Sequence, residues 1–218
     1  MQPQKKYSGK TKQTAPGRPR NGPPRQVRII GGQWKRTPLP VLDAEGLRPT
    51  PDRVRETVFN WLHFLLDGGW SRLACLDLFA GTGALGFEAA SRGAASVLMV
   101  EEHTPAAAQL QATKDKLQAA QVSILRGDAF SVASKLAASA PDSARRFDLI
   151  FLDPPFEQEW LARMLPLCIH ILSENGIIYV ESEIALTHDA PPDWLAPWRV
   201  LRQGNAGMVF YHLLQRKN

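Results

Sequence analysis

Short apolar runs alternate with amphipathic segments along most of the chain, starting at about residue 73. The runs are apolar at nearly every position, which is typical of strands that are buried on both faces. The segments between them repeat their apolar residues at helical spacing. This alternation, with its short connections, predicts right-handed crossovers and a parallel sheet. The predicted strands are 73–79, 96–100, 122–125, 147–152 and 176–180, and the predicted helices are 84–92, 104–120, 130–138 and 157–172.

The two ends of this region show a different pattern. Two β-prone runs near the N-terminus, at 27–30 and 39–42, predict a hairpin. Two further runs near the C-terminus, at 198–202 and 208–213, predict a second hairpin. An antiparallel element is therefore expected on each side of the alternating region.

One more helix is predicted before the alternation begins, over residues 51–66. Its apolar residues recur at helical spacing, and two glycines end it. Thr50 is predicted as the N-cap, because its hydroxyl can accept from a free backbone N–H of the first turn. Pro51 suits the first helical position, where the missing N–H costs nothing.

Charge is distributed unevenly along the chain. Residues 1–42 hold ten Lys and Arg and no Asp or Glu, whereas the rest holds 16 basic and 21 acidic residues. Residues 1–26 are rich in Pro, Gly, Gln, Ser and Thr, which predicts a basic, disordered tail. Such a tail is typical of a nucleic-acid contact, but also of a solubilising segment. The predicted parts are the tail (1–26), a hairpin-and-helix extension (27–68) and the main α/β domain (69–218).

Composition excludes several classes of protein. With 218 residues, 44% of them hydrophobic, the chain can bury a core without disulfides or metals. Cys75 and Cys168 form no CxxC or Cys/His cluster, so no structural zinc or other metal site is expected. The same cysteine usage argues against a secreted disulfide scaffold and favours the cytoplasm. No apolar run approaches about 18 residues, so no membrane span is expected.

A glycine motif lies between the first predicted strand and the helix that follows it. Gly81, Gly83 and Gly86 form G-x-G-x-x-G, which permits a tight turn and close approach of the backbone to a ligand. Glu101 follows at the end of the next strand, where an acidic residue can bind ribose hydroxyls. On these features alone the ligand is NAD, FAD or S-adenosylmethionine.

Acidic residues stand at or near the ends of four successive predicted strands. They are Asp77, Glu101, Asp128 and Asp153, at spacings of 24, 27 and 25 residues. A single acid at a strand end is more often the N-cap of the next helix. Four in register predict one crevice at the carboxyl edge of the sheet. Asp77 would repel a pyrophosphate but suits a ligand that carries an ammonium and a sulfonium.

The loop Asp153-Pro154-Pro155-Phe156 follows the fourth strand and can activate an exocyclic amine. The lone pair of such an amine is delocalised into its ring, so it attacks only when acceptors hold its N–H groups in a pyramidal geometry. The Asp153 carboxylate and the Pro154 carbonyl can be those acceptors, and Pro155 restricts the direction of that carbonyl. Phe156 offers a face on which an unstacked base can lie. These four residues are therefore the candidate catalytic set.

Together these features resemble class I S-adenosylmethionine-dependent amino-methyltransferases. The segments 28–35 (RIIGGQWK) and 47–62 (LRPTPDRVRETVFNWL) are similar to the bacterial RsmD family, guanine-N2 methyltransferases of small-subunit ribosomal RNA. The resemblance runs from about residue 27 to the C-terminus. It implies a Rossmann-like α/β fold with a mostly parallel seven-stranded sheet and an antiparallel last strand. It also implies that residues 69–218 are the methyltransferase domain.

The resemblance also implies how the cofactor is held. Asp77 and the glycine loop would bind the amino-acid end of S-adenosylmethionine, and Asp128 would meet the adenine amine. Glu101 would bind the ribose, although Glu102 beside it is an alternative. The full set of candidate cofactor-binding residues is Asp77, Phe79, Gly81, Gly83, Gly86, Glu101, Asp128 and Ala129.

The implied substrate is small-subunit ribosomal RNA, free or in an assembling subunit. The segment 48–55 would close over the cofactor or the RNA, and basic residues of the extension would bind phosphates. The candidate RNA-binding residues are Arg28, Trp34, Lys35, Arg36, Arg48 and Arg53.

Three other functions stay open at this point. A DNA adenine or cytosine amino-methyltransferase shares the core motifs but ordinarily needs an added target-recognition domain. A nicotinamide oxidoreductase fits the glycine loop and leaves Asp77 and the Asp-Pro-Pro-Phe loop unexplained. A non-catalytic RNA-binding protein fits the basic N-terminal region.

Overall fold

The computed structural model describes residues 27–42, 50–139, 146–155, 159–186 and 192–217. The strands in these ranges are β1 (Val27–Arg28), β2 (Pro38–Leu39), β3 (Ala74–Asp77), β4 (Ser96–Glu101), β5 (Val122–Arg126), β6 (Phe147–Leu152), β7 (Leu172–Ser182), β8 (Trp198–Ala206) and β9 (Val209–Arg216). The α-helices are α1 (Asp52–Leu65), α2 (Ala84–Ser91), α3 (Thr104–Leu117), α4 (Ala129–Ala138) and α5 (Trp160–Ile171). Two short 3₁₀ helices lie at Trp70–Arg72 and Asp193–Leu195.

Seven strands form one sheet in the order β5-β4-β3-β6-β7-β9-β8. The pairs from β5 to β7 are parallel, and β9 runs antiparallel to both of its neighbours. This confirms the expected mostly parallel sheet with an antiparallel last strand. Chain order reverses between β3 and β6, and in such sheets a ligand crevice opens at the carboxyl ends of the strands beside that reversal.

The central strands β3, β6 and β7 are mostly buried on both faces, as their apolar residues predict, whereas the edge strands β5 and β8 are partly exposed. Leu149 and Phe151 of β6 belong to the core that includes α1 and α2. Ile150 and Leu152 of the same strand belong to the core that includes α4 and α5. Because side chains of a strand alternate between its two faces, a strand covered on both sides must be apolar at nearly every position.

The N-terminal hairpin is present but shorter than predicted. Val27 pairs with Leu39 and Arg28 with Pro38, so the second strand lies at 38–39 and not at 39–42. Pro38 and Pro40 have no N–H to donate, which limits the ladder. The C-terminal hairpin formed by β8 and β9 is confirmed.

Buried charged residues fix the N-terminal segment to the sheet domain. The Glu88 carboxylate of α2 accepts from the N–H groups of Ile30 and Gly31, at 2.6 and 2.9 Å. The fully buried Arg55 of α1 donates to the carbonyl of Arg28 at 2.9 Å. Residues from 27–42 and α1 also share one core with the sheet. The division of the chain at residues 26 and 68 stays a prediction, and the predicted tail lies outside the described residues.

The start of α1 corrects the role predicted for Thr50. Pro51 occupies the N-cap position with no side-chain cap bond, and the helix begins at Asp52. The Thr50 hydroxyl points away from the helix, into the crevice at the carboxyl edge of the sheet. Asp153 and Glu181 lie there, and the hydroxyl contacts their carboxyl groups and not a backbone N–H of the helix. Across the described ranges, no helix combines the length and apolar content that crossing a membrane requires.

Candidate active site

The carboxyl ends of the parallel strands carry the acidic side chains that their spacing predicts. Asp77 ends β3, Glu101 ends β4, Asp128 follows β5, and Asp153 follows β6. The negative charge of Glu101 helps to raise the pKa of Asp77, and that of Asp77 helps to raise the pKa of Asp153. The reversal point of the sheet therefore brings acids from neighbouring strands to one edge. A fifth acid, Glu181 of β7, joins them there.

The glycine loop forms the turn between β3 and α2. Gly81 and Gly83 adopt positive φ angles of 50° and 77°, a region that side chains with a Cβ rarely enter. The Gly83 N–H donates to the carbonyl of Ala80 at 2.6 Å, which closes the turn. A Cβ built on Gly86 would meet the Met99 side chain at 2.5 Å, so this glycine lets α2 pack closely on β4. The predicted tight turn is therefore confirmed, and the close approach of a ligand to it stays a prediction.

Substitution of Gly83 by Ala is expected to destabilise the fold more than the same change at Gly207. Both glycines have positive φ angles, 77° and 64°, so both variants carry the same backbone strain of about 1–2 kcal/mol. A Cβ at Gly83 would also meet Phe87 and Leu110 at 2.5 and 2.7 Å, whereas nothing lies within 4 Å at Gly207. Overpacking should cost Gly83→Ala a further 1–3 kcal/mol or so in the free energy of unfolding. Urea denaturation of the two variants measures this difference, and equal losses would contradict the packing role.

Asp77 is the most deeply buried acid of the site, at 1% exposure. Its Oδ2 accepts from the N–H of Gly86 at 3.1 Å, which ties the strand to the glycine loop. Its Oδ1 is buried and has no hydrogen-bond partner among the described residues. Burial, and to a smaller extent the Glu101 charge, raises the pKa of Asp77 to about 7. A cationic ligand group that reached Oδ1 would supply the missing partner and favour the ionised form.

Glu101 braces the glycine loop. Its Oε2 accepts from the N–H of Gly81 at 2.7 Å, and its Oε1 accepts from the N–H of His103 at 2.8 Å. A carboxylate oxygen accepts more than one hydrogen bond, so ribose hydroxyls can still be bound. Glu102 is exposed, which favours Glu101 for that predicted role.

Asp128 caps α4. Its Oδ2 accepts from the N–H of Ser131 at 2.7 Å, and the hydrogen bonds from Ser131 lower its pKa. This is the common role of an acid at a strand end, and the contact with an adenine amine stays a prediction. Ala129, the next residue, is buried. Phe79 is partly exposed and packs edge-on against Trp160, with 5.2 Å between the ring centroids.

The Asp-Pro-Pro-Phe loop leaves the sheet directly after β6. Asp153 is partly buried, Pro154 is buried and Pro155 is exposed, whereas Phe156 lies outside the described residues. Oδ2 of Asp153 lies 3.2 Å from the hydroxyl oxygen of Thr50. Burial and the Glu181 charge raise the pKa of Asp153 well above the usual carboxyl range.

Sequence reasoning missed three polar residues that surround Asp153. Thr50 was expected to cap a helix, Tyr179 lay within the predicted strand 176–180, and no role was predicted for Glu181. The Glu181 carboxylate accepts from the hydroxyls of both, at 2.8 Å from Thr50 and 2.6 Å from Tyr179. A usable signal existed, because Glu181 follows the predicted strand 176–180 just as the other acids follow theirs.

The candidate RNA-binding residues are mostly on the surface. Lys35 and Arg36 are exposed at the bend of the N-terminal hairpin. Arg28 is exposed and pairs with Asp52 at 2.8 Å. Trp34 is half-buried and packs against the core, so it offers only part of its ring. Of the other two candidates, Arg53 is exposed and Arg48 lies outside the described residues.

Neither cysteine is an activated nucleophile. Cys75 and Cys168 are free and buried in the core. Burial raises the pKa of Cys168 to about 12 and that of Cys75 further still. Covalent catalysis by a thiolate is therefore disfavoured, as their positions in apolar runs predict.

Residues 27–215 match the protein family described as "Conserved hypothetical protein 95". Similar curated proteins include the "Ribosomal RNA small subunit methyltransferase D" of Escherichia coli strain K12, which is 39% identical over 88% of this chain and 91% of its own length. The protein of the same name from Haemophilus influenzae is 40% identical over 87% of this chain and 94% of its own length.

Solved structures resemble the chain as well. One is a "putative methyltransferase yhhF" from Escherichia coli, with a TM-score of 0.72 and 39% identity, covering 88% of this chain and 98% of that one. A "putative methyltransferase complexed with SAH" has a TM-score of 0.57 at 18% identity, covering 78% of this chain and 50% of that one. This more distant likeness shows a shared fold.

Proposed function

The chain belongs to the Conserved hypothetical protein 95 family, the RsmD family, and from this premise we propose that it transfers a methyl group from S-adenosylmethionine to the N2 amine of a guanine in small-subunit ribosomal RNA. Its α/β fold is that of the S-adenosylmethionine-dependent methyltransferases. Relatives of 39–40% identity that are named as methyltransferases of small-subunit ribosomal RNA support the substrate. The guanine N2 atom is the finer part of the proposal.

The residues at the switch point fit the cofactor. The unpartnered, buried Oδ1 of Asp77 suits an ammonium group, and the glycine turn allows close approach of the backbone. S-adenosylmethionine supplies a methyl group that is already activated by its sulfonium. Since no activation by the protein is needed, the chain has to position the two reactants and to deal with one proton.

The observation behind the proposal is that Asp77 pairs with Phe151 where β3 meets β6, at the reversal point of the sheet, and that Asp153 follows two residues later. An amine that donates its N–H groups to the Asp153 carboxylate and the Pro154 carbonyl has its lone pair turned away from its ring. The lone pair then forms the new N–C bond as the methyl–sulfur bond breaks, and one N2 hydrogen leaves as a proton. The guanine must leave its stack to reach this crevice.

The exposed hairpin bend is proposed to hold RNA phosphates. Lys35→Ala and Arg36→Ala should each weaken RNA binding a few-fold and reduce the dependence of log Kd on log salt by about one. Arg202→Ala is the matched control, because Arg202 is exposed on β8 at the edge of the sheet and far from the hairpin in chain order. Fluorescence anisotropy with a small-subunit RNA fragment over a salt series measures both quantities. Equal salt slopes in all three variants and the unaltered protein would remove the bend from the RNA site.

Methyl transfer to separate substrates tests the function. Small subunits, large subunits and duplex DNA, each lacking its native methylation, are incubated with the protein and tritiated S-adenosylmethionine. Label confined to small-subunit RNA is expected. Label only in DNA would contradict the RNA substrate and leave an amino-methyltransferase, whereas RNA binding without any label would favour a non-catalytic protein.

A further inference from the structure

A second buried acid faces Asp153 across a threonine hydroxyl. Glu181 is the second-last residue of β7, the neighbour of β6 in the sheet, and is 6% exposed. Thr50 Oγ1 lies 2.8 Å from Oε1 of Glu181 and 3.2 Å from Oδ2 of Asp153. The Tyr179 hydroxyl donates to the same Oε1 at 2.6 Å. Asp153, Thr50, Glu181 and Tyr179 form one hydrogen-bonded group (the Asp153 group). It links the Asp-Pro-Pro-Phe loop to the segment before α1.

Both contacts of the Thr50 hydroxyl are full hydrogen bonds only if one of the two carboxyls carries a proton. A threonine hydroxyl carries one hydrogen, so it donates to one carboxylate only. Its second contact is a hydrogen bond only if the other carboxyl is protonated and donates to it. Two carboxyl groups that contact the same hydroxyl also repel each other when both are ionised, which favours a proton on one of them. The pair therefore holds one proton between them.

Among the residues that the structure describes, no free cation neutralises the pair. The groups that act on it electrostatically are Asp77 on β3 and Tyr179 on β7, with Tyr211 on β9 acting on Tyr179. The Arg55 guanidinium of α1 donates to the backbone carbonyl of Thr50 at 3.3 Å, but it is paired with Asp52 at 2.6 Å. Burial raises the pKa of both carboxyls, and that of Asp153 is raised well above its usual range. The Thr50 and Tyr179 hydroxyls both donate to Oε1 of Glu181, which favours the ionised form of Glu181, so the shared proton lies on Asp153 in the resting protein.

We propose that Glu181 is a positioning residue that takes up the shared proton through the Thr50 hydroxyl, so that Asp153 is ionised when the target amine binds. This inference rests on the proposed function. Asp153 gives its proton to Thr50 Oγ1 as the Thr50 hydrogen passes to Glu181, which leaves an Asp153 carboxylate and a neutral Glu181. The ionised Asp153 then accepts N–H from the amine and takes the proton that the methylated nitrogen loses. The pair now holds two protons, and one leaves to solvent when the product departs.

Glu181→Gln is the direct test, since it keeps the shape of the side chain and removes its charge. Without that charge nearby, Asp153 should ionise at a lower pH, and the acid limb of the single-turnover rate should move down by about one pH unit or more. Glu183→Gln is the matched control, because Glu183 is exposed two residues further along. It should leave the limb where the unaltered protein has it.

Two variants of Thr50 distinguish a proton relay from a merely structural role of this residue. Thr50→Val removes the relay hydroxyl and should slow transfer at neutral pH by about 100-fold or more, within the usual range for proton-transfer groups. Thr50→Ser restores a hydroxyl and should recover most of that loss. Equal rates for the Val and Ser variants would overturn the relay.

A titration without RNA or cofactor keeps this inference separate from the proposed function. In protein labelled with ¹³C at side-chain carboxyls, the Asp153 signal, assigned with Asp153→Asn, should titrate in two steps. In Glu181→Gln it should titrate in one step at lower pH. An unchanged Asp153 titration overturns the inference even if the protein methylates RNA. The expected titration with no RNA methylation would instead contradict the proposed function alone.

Discussion

Replacement of Asp153 by Asn or Ala is expected to lower kcat for methyl transfer by about 100- to 10,000-fold and to leave the cofactor Kd nearly unchanged. The large loss follows from the chemistry, because the carboxylate both orients the amine and accepts its proton, and positioned acids and bases contribute in this range. The small change in affinity follows from the position of Asp153 in the loop after β6, apart from the glycine loop between β3 and α2. Single-turnover rates and calorimetric cofactor binding on the same preparations give the two numbers.

The control for Asp153 is an acid outside the crevice. Asp193 is exposed in a short 3₁₀ helix before β8, so Asp193→Asn should keep the rate of the unaltered protein. Turnover by Asp153→Ala equal to that of the Asp193 control would remove Asp153 from the chemistry. A parallel loss of rate and of cofactor affinity would instead assign it to cofactor binding.

Asp77→Asn is expected to have opposite effects on binding and on stability. The variant loses the carboxylate that faces the ammonium group of the cofactor, and removing one partner of a buried charge pair costs about 3 kcal/mol, or a Kd raised roughly 100-fold. Asn can still accept from the Gly86 N–H that Asp77 binds, so the glycine loop keeps its anchor. Calorimetry with S-adenosylhomocysteine, which has the same ammonium, measures the loss.

The free energy of unfolding of Asp77→Asn should be higher than that of the unaltered protein, but only above acidic pH. Burial raises the pKa of Asp77 from 3.8 to about 7, so folding favours the protonated form. The unaltered protein therefore loses stability as pH rises from about 4 to about 7, by roughly 4 kcal/mol in all. Asn is neutral throughout, so Asp77→Asn should match the unaltered protein near pH 4 and exceed it by up to about that amount at pH 8.

Urea denaturation at pH 5 and pH 8 measures this gain. Asp193→Asn serves again as the control, because its side chain is exposed and should give no pH-dependent difference. A loss of stability in Asp77→Asn at pH 8, or cofactor binding as tight as in the unaltered protein, would contradict the role assigned to Asp77. A site that is costly to the fold and necessary for the ligand is a common feature of functional residues.

The sheet could be predicted from sequence because burial on both faces leaves a continuous apolar signal. The strands β3 to β6 each overlap a predicted run, and the acids lie at or near the ends of those runs. The glycine loop was equally visible, since positive φ angles select glycine in sequence as well as in structure. The antiparallel last strand was implied by the resemblance and not by periodicity, and the order of the strands was not predicted.

What sequence patterns could not supply was the partner of each polar side chain. Thr50 and Glu181 are 131 positions apart, and nothing local to either residue indicates their hydrogen bond. Local rules assign Thr50 to the helix that it precedes, because a cap is the commonest use of such a residue. Tertiary placement beside two acids overrides that preference. The proton-sharing group around Asp153 therefore appears only once the fold is known.

Identification of the methylated atom tests the central claim most directly. Small subunits lacking their native methylation are incubated with the protein and S-adenosylmethionine that carries a deuterated methyl group, and their RNA is digested to nucleosides for chromatography and mass spectrometry. We predict one deuterated product that co-elutes with N2-methylguanosine and is absent with Asp153→Ala. A deuterated adenosine or cytidine, or a guanosine methylated at another atom, would contradict the account.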